Sequence, residues 1–145
     1  MRPEFARPSD ESQIKHLLAG CELPYEDLTT AHLRHFWVLR DGPQLVGVVG
    51  LEVLGRHSLL RSLAVPARYR GRGIGSQLTS QAEEYAHARR IEGLYLLTTT
   101  AEAFFAKRGY HQIDRNTVPP ALQGTAEFRS LCPSTAVCMA KRLSE

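Results

Sequence analysis

The chain has 145 residues, of which 43% are hydrophobic, and this length fits one domain over residues 1–145 with one continuous core. The formal net charge of +3 is modest and its arginines are clustered locally, which disfavours a nucleic-acid-binding protein. No run approaches the roughly 18 apolar residues of a membrane span, and the N-terminus lacks the apolar centre of a signal peptide. We therefore expect a cytoplasmic protein with no membrane segment.

The three cysteines are odd in number and widely spaced, at Cys21, Cys132 and Cys138. They include no C-x-x-C pair, and the sequence has no H-E-x-x-H motif or comparable ligand spacing. We therefore predict reduced thiols, no disulfide framework and no metal site.

Apolar runs early in the chain predict a strand, a helix and an antiparallel pair of strands. The helix has apolar residues at helical spacing between Ser9, a preferred N-cap residue, and Gly20, a preferred end. The antiparallel pair flanks Asp41–Pro43, which is typical of a tight turn. The predicted strands are Phe5–Arg7, Phe36–Leu39 and Leu45–Leu54.

A strand, a glycine-rich turn, a helix and a second strand follow, and this order predicts a βαβ unit with parallel strands. The remaining sequence predicts a short helix that ends at Gly109, two more strands, and an irregular or weakly helical segment between them. The fold class is therefore α/β. The predicted bounds are Ser58–Val65, Ile74–Arg90, Leu94–Leu97, Ala101–Arg108, Tyr110–Ile113, Thr125–Leu131 and Thr135–Met139.

The glycine-rich turn is the most informative part of the chain. Three alternating glycines stand at the start of a helix, where unpaired backbone N–H groups and the helix dipole favour an anion. Neighbouring arginines add fixed positive charge, so the sequence predicts a site for a diphosphate-bearing cofactor. The residues of this predicted cradle are Arg70, Gly71, Arg72, Gly73, Ile74, Gly75 and Ser76, with Arg68 just before them.

The loop Arg70–Gly75 resembles the acetyl-CoA loop Gln/Arg-x-x-Gly-x-Gly/Ala of the Gcn5-related N-acetyltransferases, the GNAT superfamily. Upstream, Leu63–Pro66 is similar to the fourth strand of that family and its exit. Downstream, Ala103–Tyr110 is similar to the family segment Phe-Tyr-x-x-x-Gly-Phe. The motifs follow the family order over nearly the whole chain. The resemblance implies a GNAT fold, in which a mixed, mostly antiparallel sheet opens between strands 4 and 5 and is flanked by helices.

The resemblance also implies the reaction, which is direct acetyl transfer from acetyl-CoA to a primary amine of a small molecule. In this interpretation Arg70–Ser76 hold the diphosphate, mostly through backbone N–H groups. The backbone of Leu63 and Val65 pairs with the pantetheine arm as a further strand would, while their side chains belong to the core. Phe104 is placed at the cofactor as well. Relatives in this family are often dimers, so a homodimer is a further expectation.

Glu52 is the candidate general base. It shares a predicted strand face with Val46, Val48 and Leu54, and burial in general shifts a carboxyl group towards proton transfer near neutrality. A second interpretation remains open, in which Glu52 pairs with an arginine such as Arg61.

The proton donor for the leaving thiolate is unassigned, because Phe105 stands where many relatives carry a tyrosine. The thiolate either takes a proton from another group or leaves unassisted, which a thiol pKa of about 8.5 makes tolerable. Because Phe105 replaces the family tyrosine, a second function also stays open, that of a catalytically silent acyl-CoA-binding sensor. The alternative donors are Tyr95, Thr98, Thr99 and Cys132.

Glu127–Pro133 is the least typical segment, and together with Thr99–Phe105 it is similar to the GNAT subgroup associated with bacterial arsenic-resistance genes. The implied acceptor is a small amine or amino-acid analogue. Arg129 would pair with its carboxylate and Glu127 with its ammonium group, and Thr98 would face the cleft. Cys132 is a candidate thiol for a metalloid. Two plainer alternatives stay open, a surface pair of Glu127 with Arg129 on a mobile loop and a cysteine that acts as a small apolar residue.

A nucleic-acid-binding module is the alternative from another functional class, because Arg68–Arg72 combines three arginines with Tyr69. The turn does not match a dinucleotide fingerprint, since its third glycine comes one residue early. We predict no nucleic-acid partner.

Overall fold

Seven strands and four α-helices make up the part of the chain that the computed structural model describes, residues 1–143. Ser144 and Glu145, at the end of the predicted domain, lie outside the described residues. The strands are β1 (Glu4–Phe5), β2 (Phe36–Asp41), β3 (Gln44–Leu54), β4 (His57–Ala64), β5 (Gly93–Thr98), β6 (His111–Gln112) and β7 (Val137–Arg142). The helices are α1 (Glu11–Gly20), α2 (Ile74–Ala88), α3 (Glu102–Ala106) and α4 (Pro120–Gln123).

The strands form one mixed sheet in the order β1-β2-β3-β4-β5-β7-β6. Strand pairs β1–β2, β2–β3, β5–β7 and β6–β7 are antiparallel. Strands β4 and β5 are parallel, and their ladder pairs His57 with Gly93, Ser58 with Leu94 and Leu59 with Tyr95. The predicted α/β class, the mostly antiparallel sheet and the parallel strands of the βαβ unit are therefore confirmed. The opening of the sheet beyond these three pairs stays a prediction.

The predicted elements are present with shifts of up to three residues at their ends, and the last strand, predicted at Thr135–Met139 and observed at Val137–Arg142, shifts most. A 3₁₀ turn at Pro8–Asp10 precedes α1, so Asp10 and not Ser9 is its N-cap residue. The Asp10 carboxylate accepts a hydrogen bond of 2.7 Å from the backbone N–H of Arg7, which stabilises this turn. The first strand is Glu4–Phe5, which begins one residue and ends two residues earlier than predicted.

The described chain divides into two compact units, and the first consists of residues 1–52 and 60–85. Its core joins α1 to β2 and β3 through buried apolar side chains. Trp37 of β2 also packs against Phe5 and Tyr85, with ring centroids 5.3 Å and 5.0 Å away. The core residues include Ile14, Leu18, Leu28, Leu33, Phe36, Val38, Leu45, Val48 and Ala64.

Helix α2 lies against β3 in this unit because Gly47 has no side chain. A Cβ atom there would lie 2.7 Å from Leu78 Cδ1 and 2.8 Å from Ile74 Cγ2, closer than packed atoms tolerate. Leu78 and Ala82 are fully buried, as their helical spacing predicted. This contact fixes the N-terminal end of α2, which follows the glycine-rich loop.

The second unit consists of residues 53–59 and the described residues from Ala86 onward. Its core contains Leu59, Val118, Leu122, Phe128 and Cys138. No helix in residues 1–143 is both long and apolar enough to cross a membrane. That residues 1–145 form a single domain stays a prediction.

Candidate cofactor and catalytic site

The glycine-rich loop connects the end of β4 to α2 within the first unit. Gly71 and Gly73 have φ angles of 80° and 81°, in the left-handed region that glycine adopts without steric penalty. A Cβ atom at either position would meet no atom of the described chain within 4 Å. The backbone conformation therefore requires these glycines, and the space beside them is open to a ligand.

A groove of about 520 Å³ follows the first turns of α2. Hydroxyl and amide side chains dominate its lining, and Gly73 and Ser76 of the predicted cradle contribute to it. Such a surface suits a ligand that accepts and donates hydrogen bonds near a helix N-terminus. The lining residues are Pro3, Gly73, Ser76, Gln77, Ser80, Gln81 and Glu84.

Arg70 folds back onto the end of β4. Its Nε donates a hydrogen bond of 2.9 Å to the carbonyl oxygen of Val65, and Cys21 Sγ lies 3.7 Å from its Nη2. A ligand that pairs with Val65 would therefore share this carbonyl with Arg70 or use the N–H group. Leu63 and Val65 are half-buried, whereas Ala64 between them is buried. The expectation that both side chains belong to the core is wrong, because Ala64 faces the core.

Tyr69 holds the other two arginines of the loop. The guanidinium carbons of Arg68 and Arg72 lie 5.5 Å and 4.9 Å from its ring centroid. Its hydroxyl donates a hydrogen bond of 2.8 Å to Asp41, and this bond raises the pKa of Tyr69. The ring is thus packed within the loop, an arrangement that favours a fixed loop over a platform on which bases stack.

Glu52 lies in a buried cluster around Arg61, whose side chain is 0% exposed. Arg61 Nη1 donates to Glu52 Oε2 at 2.9 Å and to Asp27 Oδ2 at 2.6 Å, and its Nη2 donates to Asp27 Oδ1 at 2.9 Å. Both carboxylate side chains are 16% exposed. The interpretation that Glu52 pairs with Arg61 is confirmed, and the role of general base stays a prediction.

Asp27 is the member of this cluster that sequence reasoning missed. Burial alone would raise the pKa of Asp27, but the hydrogen bonds and positive charge of Arg61 outweigh it and hold that pKa below its ordinary value. Two carboxylates and one guanidinium give the trio a formal charge of −1. Asp27 stands in a segment without periodicity, so no sequence signal indicated its partner.

Asp27, His32 and Glu52 also offer three ligand atoms within 4.8 Å of one another, a spacing that could hold a metal ion. Arg61 already binds both carboxylates, and its positive charge takes the place that a cation would need. We therefore assign this group to ion pairing.

The strand that carries Glu52 does not alternate as predicted. The pairing of β2 with β3 shifts between Leu39 and Arg40, and Leu45 and Val48 pack in the same core although they are three residues apart. Leu54 packs against the core of the second unit. Val46 stands at this bulge and leaves the predicted common face, because the bulge interrupts the alternation. The common face of Val48 and Leu54 with Glu52, which lies beyond the bulge, stays a prediction.

Thr98 and Phe104 belong to the second unit. Thr98 ends β5, and Phe104 lies within α3. Thr98 Oγ1 accepts a hydrogen bond of 2.9 Å from the N–H of Ala101, which fixes the turn before the helix. Phe104 is half-buried, and the guanidinium carbon of Arg108 lies 3.9 Å from its ring centroid. Phe105 is 4% exposed, so the position of the family tyrosine is a core position here.

The candidate acceptor residues lie around a π-helical turn at Glu127–Leu131. Glu127 is 4% exposed and Arg129 is exposed, so a surface pair of the two is wrong for Glu127. Cys132 is half-buried, and its N–H donates to the carbonyl oxygen of Glu127 at 3.1 Å.

Arg115 holds this turn, and sequence reasoning missed it because it is a lone arginine in a loop. It donates hydrogen bonds of 3.1 Å and 2.9 Å to the carbonyl oxygens of Phe128 and Pro133. Cys138 lies in the core below, where burial raises the pKa of its thiol to about 11. Cys138 therefore stays protonated near neutrality and acts as a small apolar residue.

The sequence profile of a family described as "Acetyltransferase (GNAT) domain" matches residues 32–112. The "Amino-acid acetyltransferase" of Mycobacterium tuberculosis is 32% identical over 151 residues, which cover 95% of this chain and 81% of that protein. "N-acetyltransferase 8B" of Mus musculus is 33% identical over 61% of this chain and 43% of its own length.

Two solved structures share the fold over 99% of this chain. One is a Mycobacterium tuberculosis protein in complex with CoA, with a TM-score of 0.82, 23% identity and 100% of that chain covered. The other is N-acetylglutamate synthase from Neisseria gonorrhoeae with coenzyme A and L-arginine, with a TM-score of 0.83 and 20% identity. This chain spans 33% of the length of that synthase.

Proposed function

Because this chain belongs to the GNAT family of N-acetyltransferases, which use acetyl-CoA as co-substrate, we propose that it acetylates the primary amine of a small molecule, and specifically of an amino acid. The relative named "Amino-acid acetyltransferase" supports this class of acceptor. A cytoplasmic location and a homodimer remain parts of the proposal, to be tested by cell fractionation and by sedimentation.

The loop Arg70–Ser76 carries the proposal. Its left-handed glycines at 71 and 73 leave open space beside the backbone just before α2. A diphosphate there would gain from the N-terminal N–H groups and the dipole of the helix. The groove beside it accommodates the polar end of the cofactor. The backbone of Leu63 and Val65 pairs with the pantetheine arm in this proposal, which also keeps Phe104 as a cofactor-binding residue.

Glu52 is the proposed base, acting on the amine directly or through one water. The residual negative charge of the Asp27–Arg61–Glu52 trio favours an ammonium group, and the exposed part of the Glu52 carboxylate accepts its proton. The neutral nitrogen then attacks the thioester carbonyl, a C–N bond forms, and the C–S bond breaks. The buried Phe105 has no proton to donate. The thiolate therefore takes its proton from Tyr95, Thr98, Thr99 or Cys132, or leaves unassisted and takes it from water.

The acceptor residues in the proposal are Thr98, Glu127, Arg129 and Cys132. Arg129 is exposed and can pair with an acceptor carboxylate. Glu127 is buried, so its proposed contact with the acceptor ammonium group has less support. A more specific proposal is that amino-acid-like arsenicals are among the acceptors. It is supported by the likeness of Thr99–Phe105 and Glu127–Pro133 to the arsenic-resistance subgroup.

A panel of amines tests the function by the release of free CoA, with amino acids, polyamines and amino-acid-like arsenicals as acceptors. We expect release with at least one amino acid. Binding of CoA without release against any acceptor would indicate an acyl-CoA sensor instead.

The loop is tested with Gly73→Val and a matched control, Gly55→Val. Both glycines have left-handed φ angles, 81° and 69°, and open space where a Cβ would lie, so both variants carry similar backbone strain. Only Gly73→Val should abolish CoA binding in calorimetry. Unaltered affinity for CoA in Gly73→Val would remove the loop from the cofactor site.

A further inference from the structure

Ser62 has an unusual backbone conformation for a residue inside a strand. Its φ angle is 62°, in the left-handed region, and it lies within β4 with 7% exposure. The other non-glycine residues with positive φ among those described, Glu22 and Arg90, lie in turns. A left-handed residue within a strand bends it and turns the following backbone to a new direction. The residues that follow are Leu63, Ala64 and Val65.

The side chain of Arg61 contacts Ser62 directly. Its Nε donates a hydrogen bond of 2.9 Å to Ser62 Oγ. The rest of the guanidinium is fixed by the two carboxylates, Asp27 at 2.6 Å and 2.9 Å and Glu52 at 2.9 Å. A planar guanidinium offers these donors in one rigid fork, which a lysine ammonium does not reproduce. Serine lacks the conformational freedom of glycine, so the hydrogen bond compensates for the strain.

We propose that Arg61 is a positioning residue for acetyl transfer, because its buried guanidinium holds Ser62 in the left-handed conformation and so directs the backbone of Leu63 and Val65 towards the pantetheine arm. This inference rests on the proposed function, in which those two residues pair with the arm. Arg61 also contacts the carboxylate of Glu52, the proposed base, so its effect on CoA binding is the readout that isolates the positioning role. It acts through the hydroxyl of Ser62.

Two substitutions at Ser62 separate conformation from mere stability. Ser62→Ala removes the hydroxyl and keeps the steric penalty of a left-handed φ. Ser62→Gly also removes the hydroxyl but adopts that φ freely. We expect CoA affinity and kcat to fall about tenfold to a hundredfold in Ser62→Ala, the range that a misdirected binding backbone produces, and Ser62→Gly to recover most of both.

Arg61→Lys and its matched control, Arg40→Lys, complete the test. Arg40 also lies between two carboxylates, Asp10 and Glu4, and has no left-handed neighbour in its strand. We expect Arg61→Lys to behave as Ser62→Ala does, and Arg40→Lys to match the wild type in CoA affinity and kcat.

Calorimetry with CoA, backbone amide shifts of Leu63 and Val65 by NMR, and thermal unfolding give the readouts. Wild-type affinity in Ser62→Ala, or equal losses in Ser62→Ala and Ser62→Gly, would overturn the inference. CoA binding needs no acceptor, so the inference is tested even if every amine fails. Failure of the wild type to bind CoA would refute the proposed cofactor site, and with it the premise of this inference.

Discussion

Two arginines of the first unit, Arg40 and Arg61, form nearly identical ion-pair clusters. Each makes a two-point contact with an aspartate, Arg40 with Asp10 at 3.0 Å and 2.6 Å and Arg61 with Asp27 at 2.6 Å and 2.9 Å. Each also binds a glutamate. The pairing chemistry alone therefore does not distinguish a structural cluster from one that serves a reaction.

The clusters differ in burial and in what the Nε atom binds. The side chain of Arg40 is 19% exposed and its Nε donates to Glu4, which is 46% exposed, so this cluster ties β1 and the turn before α1 to β2. Arg61 is 0% exposed, and its Nε donates to the hydroxyl of the strained Ser62. Strain beside a buried ion pair, and not the ion pair itself, is what indicates function here.

The sharpest contrast is expected between Glu52→Gln and Glu4→Gln. Glutamine keeps an acceptor for the arginine but takes up no proton, so Glu52→Gln should lower kcat by about 10²–10⁴-fold. The loss should be greatest at low pH, where the amine acceptor is protonated. Glu4→Gln should leave kcat unchanged. An unaltered pH profile of kcat in Glu52→Gln would remove it as the base.

The second contrast concerns stability. Arg61→Met leaves two mostly buried carboxylates without their cation, which should lower the free energy of unfolding by about 3–5 kcal/mol. Arg40→Met also leaves a buried carboxylate, since the Asp10 side chain is 4% exposed, but Asp10 keeps its bond from the N–H of Arg7 and Glu4 is exposed to water. With one buried carboxylate in place of two, the loss should be about 1–3 kcal/mol. Urea denaturation measures both. Equal losses would contradict the distinction drawn from burial.

The sequence predicts the scaffold of the site because its signals are local. Turn residues and apolar periodicity indicate the strands and α2, and three alternating glycines before a helix indicate the loop. The pairing of Glu52 with Arg61 was open to prediction too, since both stand on consecutive strands with a tight turn between them.

The rest depends on tertiary contacts that no local pattern encodes. Asp27 precedes Arg61 by 34 positions and lies outside the regular elements. The left-handed φ of Ser62 has no signal in the sequence, because glycine is the residue that normally indicates it. Glu127 and Arg129 sit two positions apart in a segment without clear periodicity, so their opposite burial was not foreseen.

Acid should reduce the stability that each of the two clusters contributes. The pKa of Asp10, like that of Asp27, lies below its ordinary value, because the hydrogen bonds and charge of its arginine outweigh the effect of burial. Each aspartate thus contributes stability that is fully present above the unfolded pKa of about 3.9 and is lost as the pH falls through the lower folded pKa. Asp10→Asn and Asp27→Asn should each lower stability at neutral pH.

The difference between the wild type and each asparagine variant should then shrink as the pH falls below about 4, the unfolded aspartate value. Urea denaturation at a series of pH values between neutrality and strong acid measures this. A difference that stays constant over the whole series would show that the ion pair does not carry the effect of that aspartate.

Salt should produce the smallest contrast, and it separates the clusters by exposure. At about 1 M salt the Debye length is about 3 Å, so the pair of Arg40 with the exposed Glu4 is screened, while the buried pair of Arg61 with Glu52 is screened much less. Glu4→Gln should cost at most about 1 kcal/mol at low salt, and that cost should vanish at high salt. The cost of Glu52→Gln should persist. If salt removed both costs alike, the Arg61 cluster would be open to solvent, and its rigid hold on Ser62 would lose its physical basis.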